Sequence, residues 1–216
     1  MSQRSSQREE LVNALTHGAG VVASLAGGGV LLTLAVLSGD VRRIVGAAVF
    51  VAALVLLYTA STLYHAVHHD AAKARLKILD HCAIFVLIAG TYTPFTLVSL
   101  RGGWGWGLFA AIWLLAVVGI VFKLYHTGRF KRTSTLIYLA MGWLVVVAAE
   151  PLSSSVAAST LVWLLLGGLA YSAGTIFYLN QRMPYAHGIW HAFVLLGSVC
   201  HFVAVLIEVG GPVIAT

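Results

Sequence analysis

The sequence predicts an all-α, polytopic membrane protein of seven transmembrane helices, and three observations make that prediction. Of its 216 residues 60% are hydrophobic and only 9% are charged, whereas a soluble domain carries about a quarter charged residues. Mean hydropathy is +0.93. The apolar residues also fall in runs long enough to cross a bilayer, which takes about 20 helical residues. These numbers exclude a disordered tail, a collagen-like or disulfide-stapled scaffold, and a nucleic-acid binder with a broad basic face.

In chain order the runs lie at 18–38, 43–65, 80–100, 104–123, 134–150, 159–179 and 187–208. Charged or glycine-bearing breaks separate them, among them Ser38-Gly39-Asp40, the stretch from His68 to Lys77, Arg101-Gly102-Gly103 and the stretch from Arg129 to Arg132. The fifth run is the shortest. Pro94 is expected to kink the third span. Gly27-Gly28-Gly29 and Gly167-Gly168 read as close packing points between helices. Before the first run, Glu9 and Glu10 argue against a cleavable signal peptide. Cys82 and Cys200 sit inside apolar runs with no CxxC spacing, which makes them small hydrophobes rather than a disulfide or a sulfur metal site.

The net charge of +6 resolves into a topology signal, because the basic residues lie in the gaps between spans. With the N-terminus cytoplasmic, that side holds Arg4, Arg8, Lys73, Arg75, Lys77, Lys123, Arg129, Lys131, Arg132 and Arg182, ten of the thirteen. The other side holds Arg42, Arg43 and Arg101, with Trp104 and Trp106 as an interfacial anchor. The expected orientation is therefore N-terminus inside and C-terminus outside. The chain divides into a short cytoplasmic segment at 1–17, a membrane domain at 18–208 and a short external tail at 209–216.

Ionisable residues inside a membrane helix are costly, so each is a candidate for function. Four groupings stand at span ends: Asn13-x-x-x-His17, Ser61-x-x-x-His65, Asp80-His81 and His187-x-x-x-His191. With alternating spans, all four fall on the cytoplasmic face. Residues four apart share a helix face, so His65, His187 and His191 can meet at one point. Three imidazoles with a fourth position open to water is the pattern of a catalytic zinc site. There Zn2+ would polarise a carbonyl oxygen and lower the pKa of water, with Asp80 as general base and Ser61 positioning water or substrate. The competing reading is a cluster of histidines bonded to carbonyls; convergence of four groupings on one face favours zinc. Asn13 and His17 read as groups behind the ligands or in helix packing.

His81 and Cys82 point away from Asp80 on a helix. His68, His69 and His126 read as solvated loop residues, His201 as bonded to a neighbouring helix, and Glu150 and Glu208 as interfacial carboxylates. A retinal protein would need a lysine in the last span, which has none, and a bis-histidine haem would need facing histidines rather than an i, i+4 pair with a carboxylate nearby.

These four motifs in order, with Leu79-Asp80-His81-Cys82-Ala83-Ile84 and Ala89-Gly90-Thr91-Tyr92-Thr93-Pro94-Phe95, resemble the hemolysin III family, the bacterial branch of the progestin and adiponectin receptor superfamily, from Glu10 to Ile207. The resemblance implies zinc held by His65, His187 and His191, with Ser61 and Asp80 nearby. It also implies a likeness to alkaline ceramidases, regarded as zinc-dependent lipid amide hydrolases.

The first functional expectation is thus an intramembrane zinc hydrolase of lipid amides or esters in a bacterial plasma membrane, with the acyl chain of a membrane lipid in an interhelical cavity. The alternatives are a sensor or receptor-like protein with structural zinc, and a cytolytic protein. A pore is disfavoured because it needs a polar lining through the full membrane depth.

Overall fold

The computed structural model describes residues 6–180 and 182–211. Arg4 and most of the expected tail at 209–216 lie outside the described residues.

Among the described residues the chain forms seven helical spans long and apolar enough to cross a membrane. They are α1 (Gln7–Leu37), α2 (Val41–Ala66), α3 (Asp70–Pro94) continuing into a π-helical turn (Phe95–Ser99), α4 (Gly103–His126), a broken fifth span, α7 (Ala158–Leu179) and α8 (Ala186–Gly210). The broken span consists of α5 (Lys131–Gly142), a 3-10 turn (Leu144–Ala148) and α6 (Ala149–Ser155). The protein is an integral membrane protein of seven spans, as the composition predicts.

Several helices begin before their apolar runs, because polar caps extend them past the hydrophobic boundary. Ser6 and Glu9 form a capping box at α1, with Ser6 N donating to Glu9 Oε2 at 2.8 Å and Glu9 N donating to Ser6 Oγ at 3.2 Å. Asp40 caps α2 through Arg42 N at 2.8 Å. His69, read from sequence as a loop residue, accepts from Ala72 N at 3.4 Å as the N-cap of α3.

Both irregular stretches have side-chain explanations. Beyond Pro94 the backbone opens into the π turn, closed by Leu100 N donating to Phe95 O at 2.8 Å. In the fifth span the break at Gly142–Trp143 frees backbone groups that a membrane interior cannot solvate. The Tyr92 hydroxyl satisfies them, donating toward the carbonyls of Met141 and Gly142 at 2.9 and 2.8 Å and accepting from Val145 N at 2.9 Å.

Helices α1, α2, α3, α7 and α8 share one core around Phe50, Leu54, Leu57, Tyr58 and Val205. A second core joins α3 to α4 and the broken span around Phe85, Ile112, Met141 and Leu152. On α1 the buried positions Asn13, His17, Gly20, Ser24, Gly28, Leu31 and Ala35 follow one another by three or four residues, a single stripe against the bundle. Small residues set the spacing there: a Cβ on Gly20 would lie 2.5 Å from the Tyr58 ring, and one on Gly28 would lie 2.5 Å from Val51. Of the expected glycine contacts, Gly27, Gly28, Gly167 and Gly168 face neighbouring side chains, whereas Gly29 faces open space. The outward faces of α1, α4 and α7 are exposed Leu, Val and Ile, the surface a helix presents to lipid.

Candidate metal centre and its cavity

Antiparallel succession brings the starts of α1, α3, α5 and α8 and the ends of α2, α4 and α7 to one end of the bundle, here the polar end. There His65 of α2 and His187 and His191 of α8 converge, each offering a ring nitrogen within 4.8 Å of the others. The ring centroids are 5.0 Å apart for His65 and His187, 5.1 Å for His65 and His191, and 4.6 Å for His187 and His191. His65 and His191 are buried and His187 is partly exposed.

The back nitrogens are tied down. His65 Nδ1 meets Glu10 Oε2 at 3.1 Å, and the same oxygen accepts from Lys73 Nζ at 2.8 Å. His191 Nδ1 meets the main-chain carbonyl of Asn13 at 3.2 Å. In each case a hydrogen-bond acceptor holds the proton on Nδ1 and leaves the Nε2 lone pair free. His65 Nε2 is buried with no hydrogen-bond partner, as is Ser61 Oγ. A buried ring nitrogen without a partner, aimed at two other imidazoles, is what a metal ligand looks like before the ion is counted. The three histidines could hold a metal ion, and their all-nitrogen donor set suits zinc and other first-row metals with a position left for a further ligand.

Local folding fixes this geometry. Tyr185, which precedes α8, has a left-handed backbone with φ 55°, a conformation costing about 1–3 kcal/mol for a residue of this kind. Glu9 Oε1 holds the turn by accepting from Tyr185 N at 3.0 Å. The first turn of α1 therefore anchors both the entry of α8 and, through Glu10, the His65 ring.

The other predicted residues divide by distance from the histidines. Asp80 is not among the three convergent ligands, but it shares the cavity with Ser61 and His65. His17 stacks on His191 at 3.5 Å between centroids and meets the Tyr58 ring edge-on at 5.0 Å, so it packs behind the ligand. Asn13 acts through its backbone rather than its amide. His81, expected to point away from Asp80, instead lines the cavity with Nδ1 2.7 Å from Lys77 O and 3.7 Å from Asp80 Oδ2, because its ring folds back along α3 toward the preceding turn. His126 is the last residue of α4, stacked on Phe122. His201 bonds across to Leu164 O at 3.2 Å, the contact expected of it.

The three histidines, Ser61, Asp80, Asn13, His17, His81 and His201 line a cavity of about 1010 Å³, at the upper end of the range for small-molecule sites. It runs from Glu10, His65 and His187 past Asp80 to Leu87, Ile88, Val194 and His201, more polar at the mouth than in depth, where the aliphatic side chains are joined by His201 with its Nδ1 buried and unpartnered.

Sequence reasoning missed two features. Glu10 was legible as the first member of a polar stripe with Asn13 and His17 at three- and four-residue spacing. Lys123, read as a loop cation, is only 2% exposed. It continues the buried face of α4 formed by Gly105, Leu108, Ile112, Ala116 and Gly119, a periodicity that was also visible in the sequence.

Comparison with known proteins agrees with this picture. The haemolysin-III related family model matches residues 5–202. The chain is 46% identical over 202 residues to Hemolysin-3 of Bacillus cereus, covering 94% of this chain and 92% of that protein. It is 46% identical over 199 residues to the Hemolysin-3 homolog of Bacillus subtilis (strain 168), covering 92% and 93%. It is also 27% identical over 205 residues to the human monocyte to macrophage differentiation factor, covering 91% and 83%. Seven spans, a buried three-histidine cluster and these similarities together place the chain in the haemolysin-III related family, to which it belongs.

Proposed function

We propose that the protein is a zinc-dependent intramembrane hydrolase of lipid amides or esters, resembling ceramidases in its chemistry. One observation carries the reading: three imidazoles converge, with His65 Nε2 buried and unpartnered, at the polar mouth of a cavity whose depth is less polar. A metal held only for structure is ordinarily enclosed by its full ligand set, whereas this one would face a ligand-sized space.

His65, His187 and His191 would hold the ion. When bound, zinc supplies Lewis acidity toward a carbonyl oxygen and toward water. Asp80 takes a proton from the attacking water and returns it to the leaving nitrogen or oxygen, so that water adds across the acyl C–N or C–O bond and yields a carboxylic acid and an amine or alcohol. The Ser61 hydroxyl, with no partner of its own, donates to the attacking water or the substrate oxygen. Glu10 and the Asn13 carbonyl keep the His65 and His191 rings oriented, and the apolar depth binds the acyl chain and excludes water. The cationic residues concentrated at the polar end support a cytoplasmic location for it in a bacterial plasma membrane.

The test is hydrolysis of fluorogenic N-acyl and O-acyl lipids by purified protein with measured zinc content. Asp80→Asn is expected to retain zinc and lose turnover by at least about a hundredfold. Full turnover in that variant would remove Asp80 from the mechanism, and no turnover of any acyl lipid by zinc-loaded wild type would leave the sensor reading in its place.

A further inference from the structure

The cavity lining also carries lysines that the hydrolytic mechanism does not use. Lys77 stands on α3, Lys123 at the end of α4 and Lys131 at the start of α5, and all three line the cavity. Lys77 Nζ reaches the turn between α4 and α5, 3.5 Å from where a Cβ on Gly128 would stand, so it comes to the same corner of the cavity as the residues that flank that turn. Among the described residues, no carboxylate lies at ion-pair distance from any of them. Lys123 Nζ, almost wholly buried, has the Ser134 hydroxyl at 2.6 Å, one hydrogen bond for a group with three protons to donate. Lys131 Nζ lies over the Tyr178 ring, 4.1 Å from its centroid.

A solvated basic rim would point these amines outward to water or headgroups. Lys123 points inward instead, and a buried ammonium without a counter-charge is costly. The cavity lining holds Lys77, Lys123, Arg129, Lys131 and Arg182 against Glu9, Glu10 and Asp80. Of these carboxylates Glu9 and Glu10 are engaged by Tyr185 N, His65 and Lys73. Asp80, 3.7 Å from His81 Nδ1, is the remaining carboxylate of the lining, and one carboxylate leaves an excess of positive charge there.

Lys77 and Asp80 are three residues apart on one helix, about 4.5 Å along its axis. That is a spacing on the scale of a lipid headgroup.

We propose that Lys77, Lys123 and Lys131 form a receptor for the phosphate of an acyl lipid whose chain occupies the apolar depth, so that the preferred substrate is a phosphate-bearing lipid rather than a neutral one. The proposal rests on the hydrolase reading for the word substrate, but its binding arm does not. Charge-assisted hydrogen bonds to the phosphate give each lysine roughly a tenfold effect on affinity.

The test measures binding to the full chain in non-ionic detergent, using oleoyl lysophosphatidic acid, oleoyl glycerol and inorganic phosphate as probes. The wild type is expected to bind the phospholipid at least about tenfold more tightly than the neutral lipid, and inorganic phosphate far more weakly than either. Lys123→Met and Lys131→Met should each reduce the preference about tenfold, and Lys77→Gln, at a partly exposed position, provides a variant that leaves the packing alone. Zinc content should be unchanged in all three.

Equal affinity for the two lipids, or a preference that survives all three substitutions, would overturn the proposal. Inorganic phosphate binding as tightly as the phospholipid would overturn its lipid part in favour of a free-anion site. A zinc-free or inactive wild type that still shows the lysine-dependent preference would fail the hydrolase reading alone.

Discussion

The two ends of the bundle contain polar side chains of similar kinds and treat them differently. At the end opposite the histidines, Glu208 accepts from Ser99 Oγ at 2.8 Å and from Thr160 Oγ1 at 2.7 Å, joining α8 to the π turn and to α7. Arg43 reaches from α2 to the carbonyls of Val209 and Gly211 at 3.1 and 2.6 Å. These groups cross-link neighbouring helices, and such bonds within a membrane bundle contribute on the order of 1 kcal/mol each. At the polar end His65 Nε2, Ser61 Oγ and both nitrogens of His17 are buried without partners. Polar groups committed to each other hold a fold; polar groups with unused bonding capacity converging on a cavity are placed to bind something else.

The comparison breaks first, and most completely, at the histidines. His65→Ala, His187→Ala and His191→Ala should each abolish stoichiometric zinc binding, read by elemental analysis of purified protein, because two imidazoles alone rarely retain the ion. Next comes Glu10→Gln, which removes the carboxylate behind His65 and should weaken metal affinity about 10- to 100-fold in a chelator competition. Asn13→Ala should do much less, since the carbonyl that holds His191 is main chain and survives the substitution; a loss as large as that of Glu10→Gln would mean the amide matters in a way the geometry does not provide. At the other end, Glu208→Gln or Thr160→Ala should lower stability by about 1–3 kcal/mol in a detergent thermal-unfolding assay and leave zinc content unchanged. Metal loss in those variants would erase the distinction between the two ends.

Much of this was legible in the sequence. The spans follow from composition, and the convergence of His65, His187 and His191 follows from two i, i+4 spacings and the alternation of spans. Helix ends were not legible from hydropathy, because the capping box at Ser6 and Glu9 and the cap at His69 extend α1 and α3 through polar sequence. The broken fifth span depends on Tyr92, fifty residues before the gap it fills, a long-range contact no local pattern announces. Glu10 and Lys123 were visible as periodic positions but looked like ordinary flanking charges. Only the packing shows that one supports a ligand and the other faces inward.

Whether the three histidines hold an ion is read from the zinc content of the purified wild type beside the three histidine-to-alanine variants in the same preparation. One zinc per wild-type chain and none in the variants is expected, with the variants still folded by circular dichroism. A metal-free wild type, or variants that keep their zinc, would contradict it.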